Sequence, residues 1–533
     1  MLLAKMTLPD KISMVTGQPG TSPAGAIGGT PAIPGLCIPA LSEGDGPMGV
    51  GDGLTGVIQL PAPVALSSSW DPSLARTYGT VLGAEEYGKG MEVDYGPTIN
   101  IQRDPRWGRN FEAFTEDPYL DGQLAASEIR GIQSQDVISE VKHYAVYNQE
   151  TNRNTPQDDA IVSDRAIHEI YVPGFYSAVT KGGAGAVMCS YSTINGQYAC
   201  QNSYLLSALE QRWNWPGFVS SGYGATHSTV ASANAGLDQE MPSAVYYGPA
   251  LQAAVEDGQV SMSTLNGMVG RILAEMFRFG YFNHQPTGNL TTVVTSPAHA
   301  AVAQSVAEQR TVLLQNTGGI LPLGSSLKSI AVIGADGTTS PMSAGGGSAG
   351  VTAASVVSPL QGIQARAGSG VSITSYSGTD PAQAAATAGA AQVAIVFAGN
   401  FESEGSDLST ISLQDNQDAF IEAVAAANPD TIVVLNTGGP VTMPWLSQRR
   451  AVVTVRGGNE DEAESTAHEG GPQSPLCGRC RLSGGIWPGQ RHVTRQPQLP
   501  AGRRVTPPFA TRWSRELLGF TATCTWRDQR ASS

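Results

Sequence analysis

Alternation of short apolar runs with longer helical segments between residues 35 and 285 constrains the fold of this chain most. The apolar runs predict strands at 93–100, 137–147, 183–192 and 216–221. An apolar stripe at helical spacing marks the segments between them, 72–90, 119–134 and 164–182. Strands that alternate with helices form parallel βα units. Seven or eight such units in roughly 250 residues predict a (β/α)8 barrel-like domain over 1–285, with its active site at the carboxyl ends of the strands.

A second α/β domain follows a polar, turn-rich segment, which predicts a linker at 286–300. Its strands are continuous β-branched runs of the kind buried on both faces of a parallel sheet, at 329–335, 392–399 and 430–438. Helical segments at 381–391 and 416–429 lie between or beside them. We expect an α/β sandwich domain over 301–448, incomplete because no clean strand follows Trp445.

Charge divides the chain at the end of that second domain. Residues 449–533 hold 13 Arg, no Lys and 7 acidic residues, a net charge of +6, whereas residues 1–448 carry −20. We therefore expect 449–533 to be an Arg-rich, poorly ordered tail, and a frameshift in a GC-rich gene would produce its composition. The acidic body argues against a nucleic-acid partner, which needs basic patches. A hydrophobic content of 41% argues against a disordered chain.

The ends and the cysteines indicate where such a chain works. No apolar run reaches 18 residues, so we expect no membrane partner. The N-terminus lacks the pattern of a signal peptide, which predicts a cytoplasmic protein as written, or a secreted one whose leader is missing. Six cysteines are too sparse for a disulfide scaffold, and Cys477 and Cys480 form a CxxC without a second pair, so no metal site is expected. No pattern predicts the oligomeric state.

Polar groups cluster after several of the predicted strands. The segment 99–120 combines three arginines, four acidic residues and a tryptophan, which suits a sugar site with bidentate grips and a stacking ring, or else a salt-bridged surface loop. Lys142 and His143 end another strand, where they could bind vicinal hydroxyls or serve the core. Asp45 begins a Gly-Pro turn, and its carboxylate could cap a helix or accept two sugar hydroxyls.

Two loops of the second domain invite a functional interpretation. The loop 401–408 brings Glu402, Glu404 and Asp407 together; mutual repulsion would raise a pKa and keep one carboxyl protonated as a general acid, whereas a solvated acidic loop is the simpler interpretation. The glycine-rich segment 343–350 matches no phosphate-binding motif and is interpreted as a flexible loop. The run 332–337 (VIGADG) is a weak hint of nucleotide binding, since no GxGxxG follows its strand.

Taken together, these segments resemble glycoside hydrolase family 3, of the β-glucosidase type. Seven motifs match the blocks of that family in order: DGP (45–47), RDPRWGRNFEAFTEDPYL (103–120), KHYAVYNQE (142–150), VMCSYSTING (187–196), GATHSTVASANAGLDQEMP (224–242), VLLQNTGGILPL (312–323) and FESEGSD (401–407). The resemblance implies a barrel and a sandwich with the site between them. It implies retaining hydrolysis of terminal β-D-glucosyl residues, on β-glucosides or cello-oligosaccharides, without metal or cofactor. The branch that hydrolyses β-N-acetylglucosaminides carries KHFPGHG, which this chain lacks.

Family roles transfer to this chain by motif position. The resemblance implies that Glu404 is the general acid/base. It implies glucose binding by Asp45, Arg109, Lys142, His143, Met188, Tyr191 and Tyr223.

One departure from the family pattern bears directly on catalysis. The nucleophile of the family is the Asp of a Ser-Asp-Trp/Tyr-Gly motif, and here the segment reads FVSSGYGATHS, which places Gly222 at that position. Glycine has no group that can attack an anomeric carbon. Asp238 and Glu240 lie nearby in sequence but occupy other positions of the block. We expect a β-glucosidase by descent whose catalysis is impaired; the alternative is a non-catalytic sugar-binding homologue.

Two smaller departures accompany it. The arginine usual after DGP-x-GV gives way to Gly51 and Asp52, which weakens the grip on the sugar. The usual Asp-Arg after the acid/base is Asp407-Leu408.

Overall fold

Two sheets with flanking helices organise the residues that the computed structural model describes, namely 2–18, 26–448 and 450–455. All of them belong to one unit, Met1–Pro472. The strands are β1 Gly28–Thr30, β2 Leu41–Asp45, β3 Val93–Tyr95, β4 Ile138–Tyr144, β5 Asp159–Ala160, β6 Ala186–Cys189, β7 Thr193–Ile194, β8 Gln197–Tyr198, β9 Phe218–Ser221, β10 Val312–Asn316, β11 Ser329–Ile333, β12 Ser372–Tyr376, β13 Val393–Gly399, β14 Thr431–Asn436 and β15 Ala451–Val455. The helices are α1 Leu8–Met14, α2 Pro63–Ser68, α3 Pro72–Lys89, α4 Pro118–Gln133, α5 Asp164–Ala166, α6 Pro173–Ser177, α7 Ser203–Ser207, α8 Val230–Ala235, α9 Pro249–Glu256, α10 Met262–Arg278, α11 Pro297–Gln309, α12 Pro359–Ala367, α13 Pro381–Gly389 and α14 Gln417–Ala427.

The first sheet is a curled half-barrel rather than a complete (β/α)8 barrel. Its order is β1-β2-β3-β4-β6-β9, and every pair is parallel except β1 with β2. The prediction of a barrel-like α/β domain is confirmed in class. The expected count of seven or eight βα units exceeds the six strands that this sheet has within the described residues. Apolar runs predict buried strands, but pairing and closure depend on contacts distant in sequence.

Helices α3 and α4 cover this sheet close to where the sequence predicts them. Asp71 accepts a hydrogen bond from the Ser73 N–H, and Pro72 occupies the first turn, so α3 begins with a satisfied cap. The two helices approach so closely that a Cβ on Gly79 would lie 2.2 Å from the Glu128 carbonyl oxygen. Glycine at this position therefore permits the packing.

The helix predicted at 164–182 is irregular in the structure. Residues Ile167–Tyr171 and Ala178–Gly182 are π-helical, and the short helices α5 and α6 precede them. Pro173 interrupts the segment because it lacks a backbone N–H and cannot continue the hydrogen-bond ladder.

The segment predicted as a linker at 286–300 is held against the first domain and ends inside a helix. The Lys89 ammonium donates hydrogen bonds to the carbonyl oxygens of Thr55, Leu290 and Thr292. Helix α11 already begins at Pro297, with Ser296 as its cap. The segment predicted as a linker therefore contains a loop bound to the first domain and the first turn of α11.

The second sheet has the order β10-β15-β14-β13-β11-β12 and is parallel except for β10 against β15. Apolar side chains bury both faces, as the continuous β-branched runs predict. Strand β15, Ala451–Val455, lies beyond residue 448, where the sequence analysis ends this domain, and that boundary is therefore too early. The short apolar run AVVTV was overlooked because basic residues flank it. Residues 456–533, with Cys477 and Cys480, lie outside the described residues.

The carboxyl ends of the two sheets meet through the loop that follows β13. The Asp407 carboxylate accepts hydrogen bonds from the N–H groups of Gly108, Glu150 and Thr151, all in the first domain. These bonds fix the acidic loop against the mouth of the half-barrel.

Two further observations concern the cysteines and the helices. Cys189 and Cys200 form a disulfide, which the sparse cysteine pattern does not predict, since pairing depends on proximity in the fold. Cys37 is exposed and free. Among the described residues, no helix has the length and apolarity to cross a membrane.

Candidate active site

Neighbouring strand ends bring four predicted site residues to one edge of the half-barrel. Asp45 ends β2, Lys142 lies near the end of β4, Met188 lies in β6, and Gly222 directly follows β9. Met188 pairs in register with Lys142 on one side and with Ser220 on the other. Carboxyl ends of parallel strands share one edge of a sheet, which is where α/β proteins hold ligands.

Asp45 and Lys142 form a buried ion pair at this edge. The Lys142 Nζ donates to Asp45 Oδ1 at 2.6 Å, and Glu112 Oε1 lies 3.7 Å from the same nitrogen. Burial lowers the pKa of Lys142, but the two carboxylates outweigh burial and raise it, so this residue is a cation. Asp45 Oδ2 has no hydrogen-bond partner among the described residues. The pair can therefore offer an acceptor and a donor to adjacent sugar hydroxyls.

Arg109 lies next to this pair in a bidentate contact with Glu112. Its Nε and Nη2 donate to the two carboxylate oxygens at 2.7 and 2.6 Å, and both side chains are buried. Burial raises the pKa of Glu112, but Arg109 and Lys142 outweigh burial and lower it. Nη1 of Arg109 faces Glu404 at 3.3 Å. Glu112 thus anchors two cations that point toward the space between the domains.

His143 is a neutral residue of the same site, and two tyrosine rings pack against it. Its Nδ1 lies 3.2 Å from Asn100 Oδ1, and its ring contacts those of Tyr147 and Tyr191 at centroid distances of 5.2 and 5.9 Å. Burial and the neighbouring cations lower the pKa of His143 well below its ordinary value. A neutral imidazole can both donate to and accept from hydroxyl groups.

Glu404 comes from the second domain and enters the pocket between two arginines. Its Oε1 accepts a hydrogen bond from Arg153 Nη1 at 2.6 Å, and its Oε2 accepts one from the Ser348 N–H at 2.8 Å. Burial raises the pKa of Glu404, but Arg109, the Ser348 N–H and Arg153 outweigh burial and hold it well below its ordinary value. In this arrangement the carboxyl is ionised.

The glycine-rich segment 343–350 positions Glu404, so its interpretation as a merely flexible loop is wrong. The N–H of Glu404 donates to the Gly346 carbonyl oxygen at 3.0 Å, and the N–H of Gly346 donates to the Glu402 carbonyl oxygen at 2.9 Å. Gly347 has φ +108°, and a Cβ there would lie 2.3 Å from the Glu404 Cβ. A side chain at this position would displace Glu404.

The three acidic residues of the 401–408 loop diverge instead of crowding. Glu402 is buried and accepts a hydrogen bond from the Phe111 N–H at 3.3 Å, while Asp407 binds the backbone of the first domain. The idea that mutual repulsion raises a pKa in this loop is wrong for Glu404, because cations rather than carboxylates surround it.

Gly222 and Tyr191 form the wall next to these groups. The Gly222 N–H donates to the Cys189 carbonyl oxygen at 3.1 Å, and a Cβ built on Gly222 would lie 3.1 Å from Tyr191 Cζ. The Arg153 guanidinium lies over the same tyrosine ring at 4.8 Å. Tyr191 therefore links the backbone of Gly222 to the arginine that binds Glu404.

Two aromatic residues that the sequence assigns to the site make contacts with other residues of the protein. Trp107, expected as a sugar-stacking ring, is 1% exposed, and its Nε1 donates to Glu150 at 2.8 Å. Tyr223, expected to bind substrate, packs edge to face on Tyr95 at 5.9 Å, with the two hydroxyls 3.5 Å apart. Trp107 supports the site through Glu150, which in turn binds Arg153. A substrate contact by Tyr223 stays a prediction.

Sequence reasoning missed Arg153, Glu150 and Glu112. Arg153 bridges Glu404 and Glu150, whose Oε2 lies 3.0 Å from Nη1. A spacing of three residues joins Arg109 to Glu112 and Glu150 to Arg153, and this repeated acid–arginine spacing is the signal that could have found them.

Comparison with known proteins identifies the family of this chain. The family model described as the glycosyl hydrolase family 3 N terminal domain matches residues 33–274, and the one for the family 3 C-terminal domain matches 311–468. The chain belongs to glycoside hydrolase family 3. The second match extends past residue 448 and so includes strand β15.

Relatives and solved structures of this family include β-glucosidases. The chain is 36% identical over 498 residues to the probable β-glucosidase L of Emericella nidulans, covering 85% of this chain and 66% of that protein. It is 35% identical over 483 residues to the thermostable β-glucosidase B of Acetivibrio thermocellus, covering 85% and 61%. The structure of DesR, a β-glucosidase from Streptomyces venezuelae in complex with D-glucose, superposes with a TM-score of 0.81 at 32% identity, covering 87% of this chain and 75% of that one. This chain therefore spans less than two thirds of the length of the Emericella nidulans and Acetivibrio thermocellus proteins.

Asp52 follows Gly51 in the turn after Asp45, where the sequence analysis expects the family's usual arginine to be missing. Its Oδ2 accepts a hydrogen bond from the Asp45 N–H at 3.2 Å. Burial, with the nearby Asp45 carboxylate, raises the pKa of Asp52 to about 7. A carboxyl that titrates near neutral pH therefore lies directly beside Asp45.

Proposed function

We propose that this family 3 chain binds the terminal glucosyl group of β-D-glucosides and that its own retaining hydrolysis is strongly impaired. Cello-oligosaccharides and aryl glucosides are the substrate classes. One observation carries the proposal: Gly222 follows β9 at the position of the family's nucleophile, on the wall of the pocket that Glu404 enters from the second domain. The binding groups persist while the attacking group is missing.

The remaining pocket supports recognition of a sugar. Asp45 and Lys142 supply an acceptor and a charged donor within 2.6 Å of each other, and Arg109 adds a fixed donor anchored by Glu112. Neutral His143 can hydrogen-bond a further hydroxyl. Convergent, buried polar groups of this kind orient a ligand and exclude those without matching hydroxyls.

Retaining hydrolysis requires a second carboxylate on the face of the sugar opposite the leaving group. In such enzymes the two carboxyl groups lie about 5–5.5 Å apart, and one of them forms the glycosyl-enzyme. Asp238 cannot serve, because Arg271 binds it at 2.7 Å and the Val219 N–H at 2.8 Å. Glu240 accepts hydrogen bonds from the N–H groups of Tyr246 and Tyr247. Both carboxylates therefore hold structural contacts within the protein instead of facing a sugar.

Rescue with an external anion tests the proposal. Azide or formate can enter beside Gly222 and attack the anomeric carbon of an activated aryl β-glucoside, which releases the phenolate. With azide we expect a rate increase that saturates with anion concentration and an α-glucosyl azide product, identified by NMR. Binding of glucose, measured by calorimetry on the same full chain, establishes that the pocket is intact.

The matched control keeps the anion and changes the acid/base. Glu404→Gln should preserve azide rescue on a dinitrophenyl glucoside, which needs no acid. A methyl glucoside does need the acid, so its rescue in the parent chain should increase as the pH falls and Glu404 becomes protonated, and Glu404→Gln should abolish that increase. Ordinary rates without azide and with retention would overturn the proposed impairment. Absence of glucose binding would overturn the proposed recognition.

A further inference from the structure

Glu404 is placed as a base toward one face of the bound sugar, and Gly222 presents no side chain to the opposite face. Two donors and a further cation surround the carboxylate: Arg153 donates at 2.6 Å, the Ser348 N–H donates at 2.8 Å, and the Arg109 guanidinium lies 3.3 Å away. Ionised carboxylates are the form that such donors stabilise. A group that is ionised in the resting protein can accept a proton from a hydroxyl.

Microscopic reversibility gives that carboxylate a defined task. In the second half of retaining hydrolysis, the acid/base residue deprotonates a nucleophile that attacks an α-linked glycosyl-enzyme from the β face. An α-glucosyl compound with a small leaving group presents the same geometry without a covalent bond to the protein. Glycine at position 222 leaves room for that leaving group, where an aspartate side chain would otherwise stand.

We propose that this chain transfers a glucosyl group, with inversion, from α-glucosyl donors with a small anionic leaving group to the hydroxyl of an alcohol or sugar acceptor, with Glu404 as general base. This inference rests on the proposed function, since it uses the same glucosyl-binding pocket. It goes beyond that function because it assigns a synthetic reaction to a chain that lacks the hydrolytic nucleophile.

The step balances without any further reagent. The acceptor oxygen forms a β bond to the anomeric carbon as the α bond to the leaving group breaks. The bonding electrons depart with the leaving group, for example fluoride, and the acceptor proton passes to the Glu404 carboxylate. Solvent later removes that proton, so the products are a β-glucoside and hydrogen fluoride.

The wall beside Gly222 suits a small leaving group. A Cβ at this position would lie 3.1 Å from Tyr191 Cζ, the ring atom that carries the hydroxyl, and 3.3 Å from the Cys189 carbonyl oxygen. Within the described part of the chain, the Tyr191 hydroxyl makes no hydrogen bond. It is therefore a donor that can stabilise a departing fluoride, while the close walls exclude a bulky group.

The product should persist once it forms. Hydrolysis of a β-glucoside by the retaining route needs the carboxylate that Gly222 lacks. Transfer to an acceptor is thus not followed by breakdown in the same site.

The test incubates the full chain with α-D-glucosyl fluoride and 4-nitrophenyl β-D-glucoside as acceptor, without azide. We expect fluoride release that depends on the acceptor, and a 4-nitrophenyl disaccharide whose new linkage is β by NMR. Glu404→Gln should lower this transfer by about 10²–10⁴-fold, the usual contribution of a general base. Arg165→Ala, which alters an exposed arginine paired with Glu169 on the surface, is the matched control and should leave transfer unchanged.

Failure of this inference is distinguishable from failure of the proposed function. If azide rescue succeeds but α-glucosyl fluoride yields no β-linked product, the transfer is refuted and the proposed function stands. Equal transfer by the wild-type chain and by Glu404→Gln, with azide rescue intact in both, refutes the assignment of the base. Gly222→Asp provides a second variant: it should convert transfer into hydrolysis, and accumulation of disaccharide at the wild-type level would contradict the reasoning.

Discussion

Restoring the carboxylate by Gly222→Asp should convert this chain into an active β-glucosidase. The φ angle of Gly222 lies outside the left-handed region, so the backbone accepts a side chain. The new Cβ would lie 3.1 Å from Tyr191 Cζ, and the tyrosine ring must move by a few tenths of an ångström. The substitution is therefore crowded but not excluded.

The expected gain follows from two opposing free energies. Loss of the nucleophile in a well-studied hydrolase lowers kcat by roughly 10⁶, which corresponds to about 8 kcal/mol of activation free energy. Overpacking at a buried site costs about 1–3 kcal/mol. Even if the whole packing cost reduces transition-state stabilisation, about 5 kcal/mol remains, and hydrolysis should rise on the order of 10⁴-fold.

The assay measures initial rates on 4-nitrophenyl β-D-glucoside with the full chain. A 2-deoxy-2-fluoroglucoside should also leave one fluoroglucosyl group covalently bound to Gly222→Asp, detected by intact mass. Gly222→Asn is the matched control, because it has nearly the same shape without the charge and should gain nothing. An equal gain in both variants, or no gain in Gly222→Asp while glucose binding is retained, would refute the assignment of this position.

Three further perturbations follow from contacts in the same region. Arg153→Ala, made in the Gly222→Asp variant, should raise the pKa of Glu404 because it removes a cation from the carboxylate. Since the acid must be protonated to act, the alkaline limb of kcat/KM on a methyl glucoside should move up by about 1–3 pH units in a pH–rate profile. Arg109→Ala leaves the buried Glu112 without its bidentate partner and should lower the free energy of unfolding by about 3–5 kcal/mol in urea titrations. Cys200→Ser opens a loop of 11 residues and should lower that free energy by about 3 kcal/mol, with the same loss in the wild type under dithiothreitol.

Each of these expectations has an outcome that contradicts it. An unmoved alkaline limb in Arg153→Ala would show that this arginine does not govern the ionisation of Glu404; Arg165→Ala is the exposed control. Unchanged unfolding of Arg109→Ala would mean that water or Lys142 compensates Glu112. Insensitivity of the wild type to reductant, with Cys200→Ser as stable as its parent, would argue against the disulfide.

Local pattern predicted the kinds of elements well, because burial and periodicity are properties of short segments. The runs at 137–147 and 392–399 contain β4 and β13, and 72–90 contains α3. Strand count and boundaries were less predictable. β1 is the tripeptide Gly28–Thr30, which carries no hydrophobic pattern, and β15 is a short apolar run flanked by arginines.

The candidate site divides in the same way. Motif positions singled out Asp45, Lys142 and Glu404 from sequence, and in the structure a series of ion pairs through Glu112 and Arg109 connects all three. The partners that set their charge states were not predictable, because Arg153 is 251 residues from Glu404 along the chain. The direction of the Glu404 pKa could not come from composition: its loop is acidic, but the groups that contact its carboxylate are arginines.

The sequence by itself determined the family, the two α/β domains and the absence of a carboxylate at position 222, since each depends on residue identity and local order. Only the tertiary structure decided that Glu404 is held ionised, that the glycine-rich segment 343–350 supports it, and that Trp107 lies behind the site. Those properties depend on distances between groups far apart in the chain, and electrostatic and packing energies are set by such distances.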